Sequence, residues 1–194
     1  MFYINDHIDE IDLEQVAAEL SDQRREQMMR YRQELGRRLC AAAYLLLREG
    51  LRREYGIEEP PVFEYGEHGK PSIVGHPEIH FNMSHCRAAA VCVLADHPVG
   101  VDVEEIKHHD DTLMRYVLND AELERVKNAE APDVVFTELW TQKESLAKMR
   151  GTGITDDLKT LLNEPHTFET VVNRERGYVY SVLIDNFQIN IVPL

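Results

Sequence analysis

Leu139-Trp-Thr-Gln-Lys-Glu-Ser-Leu-Ala-Lys-Met-Arg-Gly-Thr-Gly-Ile154 decides how this chain is read. Val135, Phe136, Leu139, Trp140, Leu146 and Ala147 recur at the spacing of a helix with one buried stripe. Lys143 lies four residues after Leu139 and four before Ala147, so it falls on that stripe. Glu144 sits one turn after Trp140 and one turn before Lys148, at the stripe's edge. Gly151 and Gly153 stop the helix. A solvated Glu144–Lys148 pair, with Lys143 snorkelling past the core, accounts for these charges if the helix is taken alone.

A second acidic site upstream changes the balance. In Val99-Gly-Val-Asp-Val-Glu104, valines alternate with Gly100, Asp102 and Glu104, the period of a half-buried strand. Asp102 and Glu104 then share one face, about 7 Å apart along the strand. Carboxylates that close raise each other's pKa unless a cation sits nearby. They are also hard oxygen ligands of the kind that hold Mg²⁺ with substrate phosphates. Gly100, on the same face, leaves room for a ligand or another backbone. An isolated pair of this kind is otherwise read as the charged solvent face of an edge strand.

The 194 residues suffice for one large domain or two small ones, and 43% are hydrophobic. No run approaches the roughly 18 apolar residues of a membrane span. The start, Met1 to His7, is not expected to be a signal peptide. Cys40, Cys86 and Cys92 lack paired spacing and are expected to be reduced core thiols of a cytoplasmic protein. A net charge of −14 argues against nucleic acid as a partner. Yet nine arginines fall between Arg24 and Arg53 against Glu26, Glu34 and Glu49. Arginine favours bidentate phosphate contact, so this patch suits a small anion better than a polymer.

The pattern predicts a brief helix near Leu13–Leu20 and a longer helical region from Ser21-Asp22 towards Leu51, broken near Gly36. Leu39–Leu47 is apolar nearly all round and is expected to be buried. Pro60-Pro61 breaks the chain, and Gly66–Pro71 is a turn. Strands are expected around Ile79–Ser84, Ala88–Ala95 and Val99–Glu104, the last two as a hairpin about Asp96–Pro98. Asp111–Ala129 reads as helical, with His108-His-Asp-Asp111 as its solvated start rather than a metal site. Phe168–Val172, Tyr178–Ile184 and Phe187–Val192 read as strands.

Gly69-Lys-Pro71, Phe81-Asn-Met-Ser-His85, Gly100-Val-Asp-Val-Glu104 and Trp140-Thr-Gln-Lys-Glu-Ser-Leu-Ala-Lys148 follow one another in order. Together they resemble the 4′-phosphopantetheinyl transferases of the two-half, surfactin-synthetase-activating (Sfp) type, over about residues 69 to 153. The last two motifs carry the specificity. The resemblance implies an α+β fold of two similar halves related by a pseudo-twofold, with antiparallel sheets, packed helices and coenzyme A at the junction. Residues 1–96 and 97–194 are the halves expected here.

The resemblance also implies roles. Asp102, Glu104 and Glu144 would hold Mg²⁺ against the coenzyme A pyrophosphate, with Glu144 also the base. Lys143 and Lys148 would neutralise phosphate charge, Lys148 as a catalytic group. Ser84 and His85 would meet the 3′-phosphoadenosine end, and Lys70 would lie near the adenine or its ribose phosphate. An N-terminal arginine for the 3′-phosphate is Arg37 or Arg38, or less readily Arg30. Cys86 and Ser145 stand where smaller or apolar residues are common, and the chain is short for the family. The implied reaction moves phosphopantetheine from coenzyme A to a serine of an acyl or peptidyl carrier protein and releases 3′,5′-ADP. Two halves in one chain permit a monomer. A metal-dependent nucleotide phosphohydrolase and a non-catalytic nucleotide-binding module are the alternatives.

Overall fold

A computed structural model describes residues 1–153 and 158–183, and the backbone of 191–193. The chain begins with strand β1 (Phe2–Asn5), a 3₁₀ turn and helices α1 (Leu13–Ala17), α2 (Asp22–Met29) and α3 (Glu34–Gly50). Strands β2 (Phe63–Tyr65), β3 (Pro71–Ile73), β4 (His80–His85), β5 (Ala90–Ala95) and β6 (Val101–Glu105) follow. Helices α4 (Asp111–Val117), α5 (Asp120–Lys127) and α6 (Pro132–Arg150) precede β7 (Phe168–Asn173), β8 (Tyr178–Leu183) and β9 (Ile191–Pro193).

Two sheets and two long helices form the body. The first sheet runs β4-β5-β1-β9 and the second β6-β8-β7; β2 and β3 make a separate pair. Every pairing among them is antiparallel except β1 with β9. Strand alternation sorts the apolar side chains into layers. Tyr3, Cys92 and Leu94 face α3, whose Leu39–Leu47 stretch is buried as its composition requires. Phe2, Val91 and Val93 point the other way and meet Val101, Val103, Tyr180 and Val182 of the second sheet. The Phe2 and Tyr180 rings stack at 4.7 Å between the sheets. On its remaining face the second sheet is covered by α6, which also packs on α5. The fold is thus α+β, with the antiparallel sheets and packed helices expected.

Local expectations fare unevenly. Leu13–Ala17 is helical, and Asn119 splits the Asp111–Ala129 region by capping α5 through a reciprocal bond pair with Glu122. The helical region after Ser21 breaks at residues 30–33, ahead of Gly36. Gly36 lies inside the first turn of α3, where the Tyr31 ring packs on it and leaves no room for a Cβ. The expected hairpin about Asp96–Pro98 is absent. Both edges of β5 are taken by β4 and β1, so β6 crosses to the second sheet and pairs with β8. The strand expected at Phe187–Val192 falls largely on residues 187–190, outside the described ones; its end forms β9. The three cysteines are free and buried, and burial pushes the Cys86 thiol up to about 11.

Candidate active site

The layers put β4 of the first sheet beside β6 of the second, with α6 over one flank and α2 and α3 near the other. Asn82 joins the strands, its Oδ1 accepting the Val101 N–H at 3.1 Å where no ladder bond exists. Gly100 sits on the face of β6 turned to α6, and a Cβ there would overlap the Ser145 carbonyl oxygen. The room it leaves is filled by the helix backbone. Covered in this way, Asp102 is only 2% exposed, so it does not stand on the charged solvent face that an isolated pair would suggest.

Within this seam Lys148 Nζ donates to Asp102 Oδ1 at 2.5 Å and to Ser84 Oγ at 2.9 Å. Ser84 Oγ donates to the same Asp102 oxygen at 2.7 Å. Asp102 Oδ2 and Glu144 Oε1 are buried without a partner among the described residues. Two adjoining cavities share Met83, Glu144 and Lys148. One, of about 460 Å³, is lined also by Arg24, Ser84, His85, Asp102, Glu104 and Trp140. The other, of about 300 Å³, reaches Lys70, Pro71, Gly151 and Gly153.

Burial raises the pKa of Glu104, and Asp102 raises it further, against the pull of Lys107, Lys148 and the Trp140 indole. Glu144 is raised by burial and then by Asp102. His85 is lowered by burial, then by Arg24 and Lys148, so its neutral form is favoured. Among the described residues no group of three or more metal-type side chains converges on one point. The chemistry of the set nonetheless fits a hard cation. Three carboxylates face one lysine, and two of their buried oxygens meet no donor among the described residues.

Other sequence candidates lie elsewhere. Lys143 is wholly buried on the side of α6 that meets α5. It donates to Glu122 Oε2 at 2.8 Å and to the Leu158 carbonyl at 2.6 Å, and lines neither cavity. Arg37 donates to the Tyr31 carbonyl at 3.0 Å and Arg38 pairs with Glu34 at 2.7 Å, both outside the cleft. The arginine that lines it is Arg24, anchored by the Cys40 carbonyl at 2.6 Å and lying over the Tyr44 ring. Its signal was the arginine-rich run itself; choosing it needed the break between α2 and α3.

Residues 98–191, which include β6 and α6, match the 4′-phosphopantetheinyl transferase superfamily. Over that stretch the chain is similar to that superfamily. The 4′-phosphopantetheinyl transferase psf-1 of Bacillus pumilus is 30% identical over 76% of this chain and 65% of its own length. The transferase gsp of Aneurinibacillus migulanus is 31% identical over 67% of this chain and 57% of its own. The transferase Sfp of Bacillus subtilis strain 168 is 27% identical over 70% and 62%. The chain thus spans less than two thirds of the length of these superfamily relatives.

Proposed function

We propose that the chain transfers the 4′-phosphopantetheine group of coenzyme A to a serine hydroxyl of an acyl or peptidyl carrier protein, with Mg²⁺, releasing 3′,5′-ADP. The observation that carries this reading is the meeting of Asp102, Glu104, Glu144 and Lys148 in one cleft that holds two buried carboxylate oxygens without a partner among the described residues. The activities named for the relatives support it.

Mg²⁺, held by Asp102, Glu104 and Glu144, would neutralise the pyrophosphate of coenzyme A. Lys148 carries a fixed positive charge to the same phosphates, aimed there by Asp102 and Ser84. Glu144, made more basic by burial and by Asp102, takes the serine proton as the serine oxygen bonds to phosphorus. The bond from that phosphorus to the bridging oxygen breaks, and 3′,5′-ADP leaves with the electron pair. Ser84 and His85, with Arg24 beside them in the same cavity, receive the 3′-phosphoadenosine end.

We place the boundary between the halves at residues 96–97, supported by the passage of the chain from the first sheet to the second there. A cytoplasmic monomer is the setting proposed. Carrier proteins present acidic surfaces, which the net charge of −14 opposes, so the arginine-rich segment is the expected docking side. The test measures 3′,5′-ADP released from coenzyme A and Mg²⁺ with and without apo-carrier proteins. Release that requires a carrier supports the transferase; release from coenzyme A alone makes the chain a phosphohydrolase.

A further inference from the structure

The Gly66–Pro71 turn of the first half touches the end of α6 through one side chain. Lys70 Nζ donates to the Met149 carbonyl at 2.7 Å, across 79 residues of sequence. The last carbonyls of a helix have no partner within it, and a cation there also faces the negative end of the helix dipole. Met149 immediately follows Lys148, and Gly151 then ends α6 with φ +72°. The Lys70 stem lies on that glycine, whose Cβ would come within 2.9 Å of Lys70 Cδ. Gly151 therefore serves both the left-handed turn and the seating of Lys70.

The turn that carries Lys70 is itself braced. Gly66 N donates to the Lys70 carbonyl at 3.0 Å and Gly69 N to the Gly66 carbonyl at 2.9 Å, between the paired strands β2 and β3. Among the described residues no carboxylate pairs with Lys70. Its hydrogen-bond partner among the described residues is the helix end, and burial lowers its pKa. Lys70 and Lys148 line the same cavity, but the Lys70 ammonium is turned to a backbone carbonyl.

We propose that Lys70 is a positioning residue, a latch that pins the C-terminal turn of α6 to the first half and so holds Lys148 over Asp102 and Ser84. This departs from the nucleotide contact that resemblance implied for it. The assignment rests on the proposed transferase for its effect on turnover, but its structural content does not. Without the latch the last turn of α6 frays and Lys148 loses its fixed direction, which costs rate more than binding.

The test compares the full chain with Lys70→Met, which keeps the stem, and Lys70→Arg, which keeps the donor. Hydrogen–deuterium exchange over residues 146–153 reads the latch directly, and titration with 3′,5′-ADP reads the ligand site. In Lys70→Met, exchange at the end of α6 is expected to rise about tenfold. Affinity for 3′,5′-ADP should stay within about threefold, and kcat should fall about tenfold at similar KM for coenzyme A. Lys70→Arg should restore both exchange and rate. Unchanged exchange in Lys70→Met overturns the latch, whatever the affinity does. Lys70→Gln carries the same comparison if Lys70→Met does not fold. A chain that transfers nothing sinks the proposed function, while exchange still decides the latch.

Discussion

Lys148 and Asp102 tie the helix α6 to the strand it covers, Nζ to Oδ1 at 2.5 Å, with Ser84 hydrogen-bonded to both. The pair joins residues 46 positions apart and brings the two acidic motifs into one site. Because Asp102 is buried, its removal affects both chemistry and structure. Asp102→Asn should reduce transfer at least about 10²-fold, as loss of a charge-stabilising group does. It should also lower stability by about 1–3 kcal/mol, as the buried acceptor of Lys148 is weakened. Lys148→Ala should reduce the rate by a similar factor and also lower stability, since it leaves the buried Asp102 carboxylate without its cation. Turnover and urea unfolding of both variants separate the two effects.

Gly100 tests the seam itself. Any side chain there meets the α6 backbone at Ser145 and the Met149 Cβ. Gly100→Ala should destabilise by about 2 kcal/mol or more through overpacking, and reduce transfer because β6 and α6 separate. Wild-type unfolding midpoint and rate in this variant would refute so close a packing.

Lys143 is expected to act on stability. Its ammonium is enclosed by Glu122 and the Leu158 carbonyl. Lys143→Ala leaves Glu122 without its cation and should cost about 3–5 kcal/mol. Lys143→Met with Glu122→Leu should recover part of that loss, since an apolar pair replaces a buried ionic one. A weakened affinity for 3′,5′-ADP with unchanged unfolding would instead return Lys143 to a phosphate-binding role.

The pH dependence of binding follows from His85. Burial, then Arg24 and Lys148, hold its pKa below the ordinary histidine range in the free protein. A phosphate set beside it favours the charged imidazole and raises that pKa. Between the free and bound values a proton is taken up on binding, so affinity for 3′,5′-ADP should rise as pH falls from 7 through the bound value. His85→Asn should flatten that slope. Titrations at several pH values in buffers of different ionisation enthalpy measure the proton uptake.

How much of this was legible in the chain depended on whether period alone settles direction. The α6 pattern and the Val99–Glu104 alternation needed only local geometry, and the structure gathers Asp102, Glu104, Glu144 and Lys148 as those periods suggest. Lys143 lay on the apolar stripe, and burial there is what the stripe means; α5 supplies its counter-charge from 21 residues away. Arg24 was hidden because α2 is short and ends before α3 begins, so no helical phase connects it to Arg37 and Arg38. Strand partners were the least legible feature. Asp96–Pro98 looks like a hairpin turn, but both edges of β5 are claimed by strands far away in sequence. The three-residue strands β2 and β3 give too little alternation to be seen.

The central claim is transfer to a carrier, and intact mass of the carrier tests it most directly. Purified protein, Mg²⁺, coenzyme A and a panel of apo-carrier proteins are incubated, and each carrier is weighed. The account predicts a phosphopantetheine-sized gain on the carrier serine, lost with EDTA and with Asp102→Asn. Carriers of unchanged mass, with a chain that binds neither coenzyme A nor 3′,5′-ADP, would contradict it.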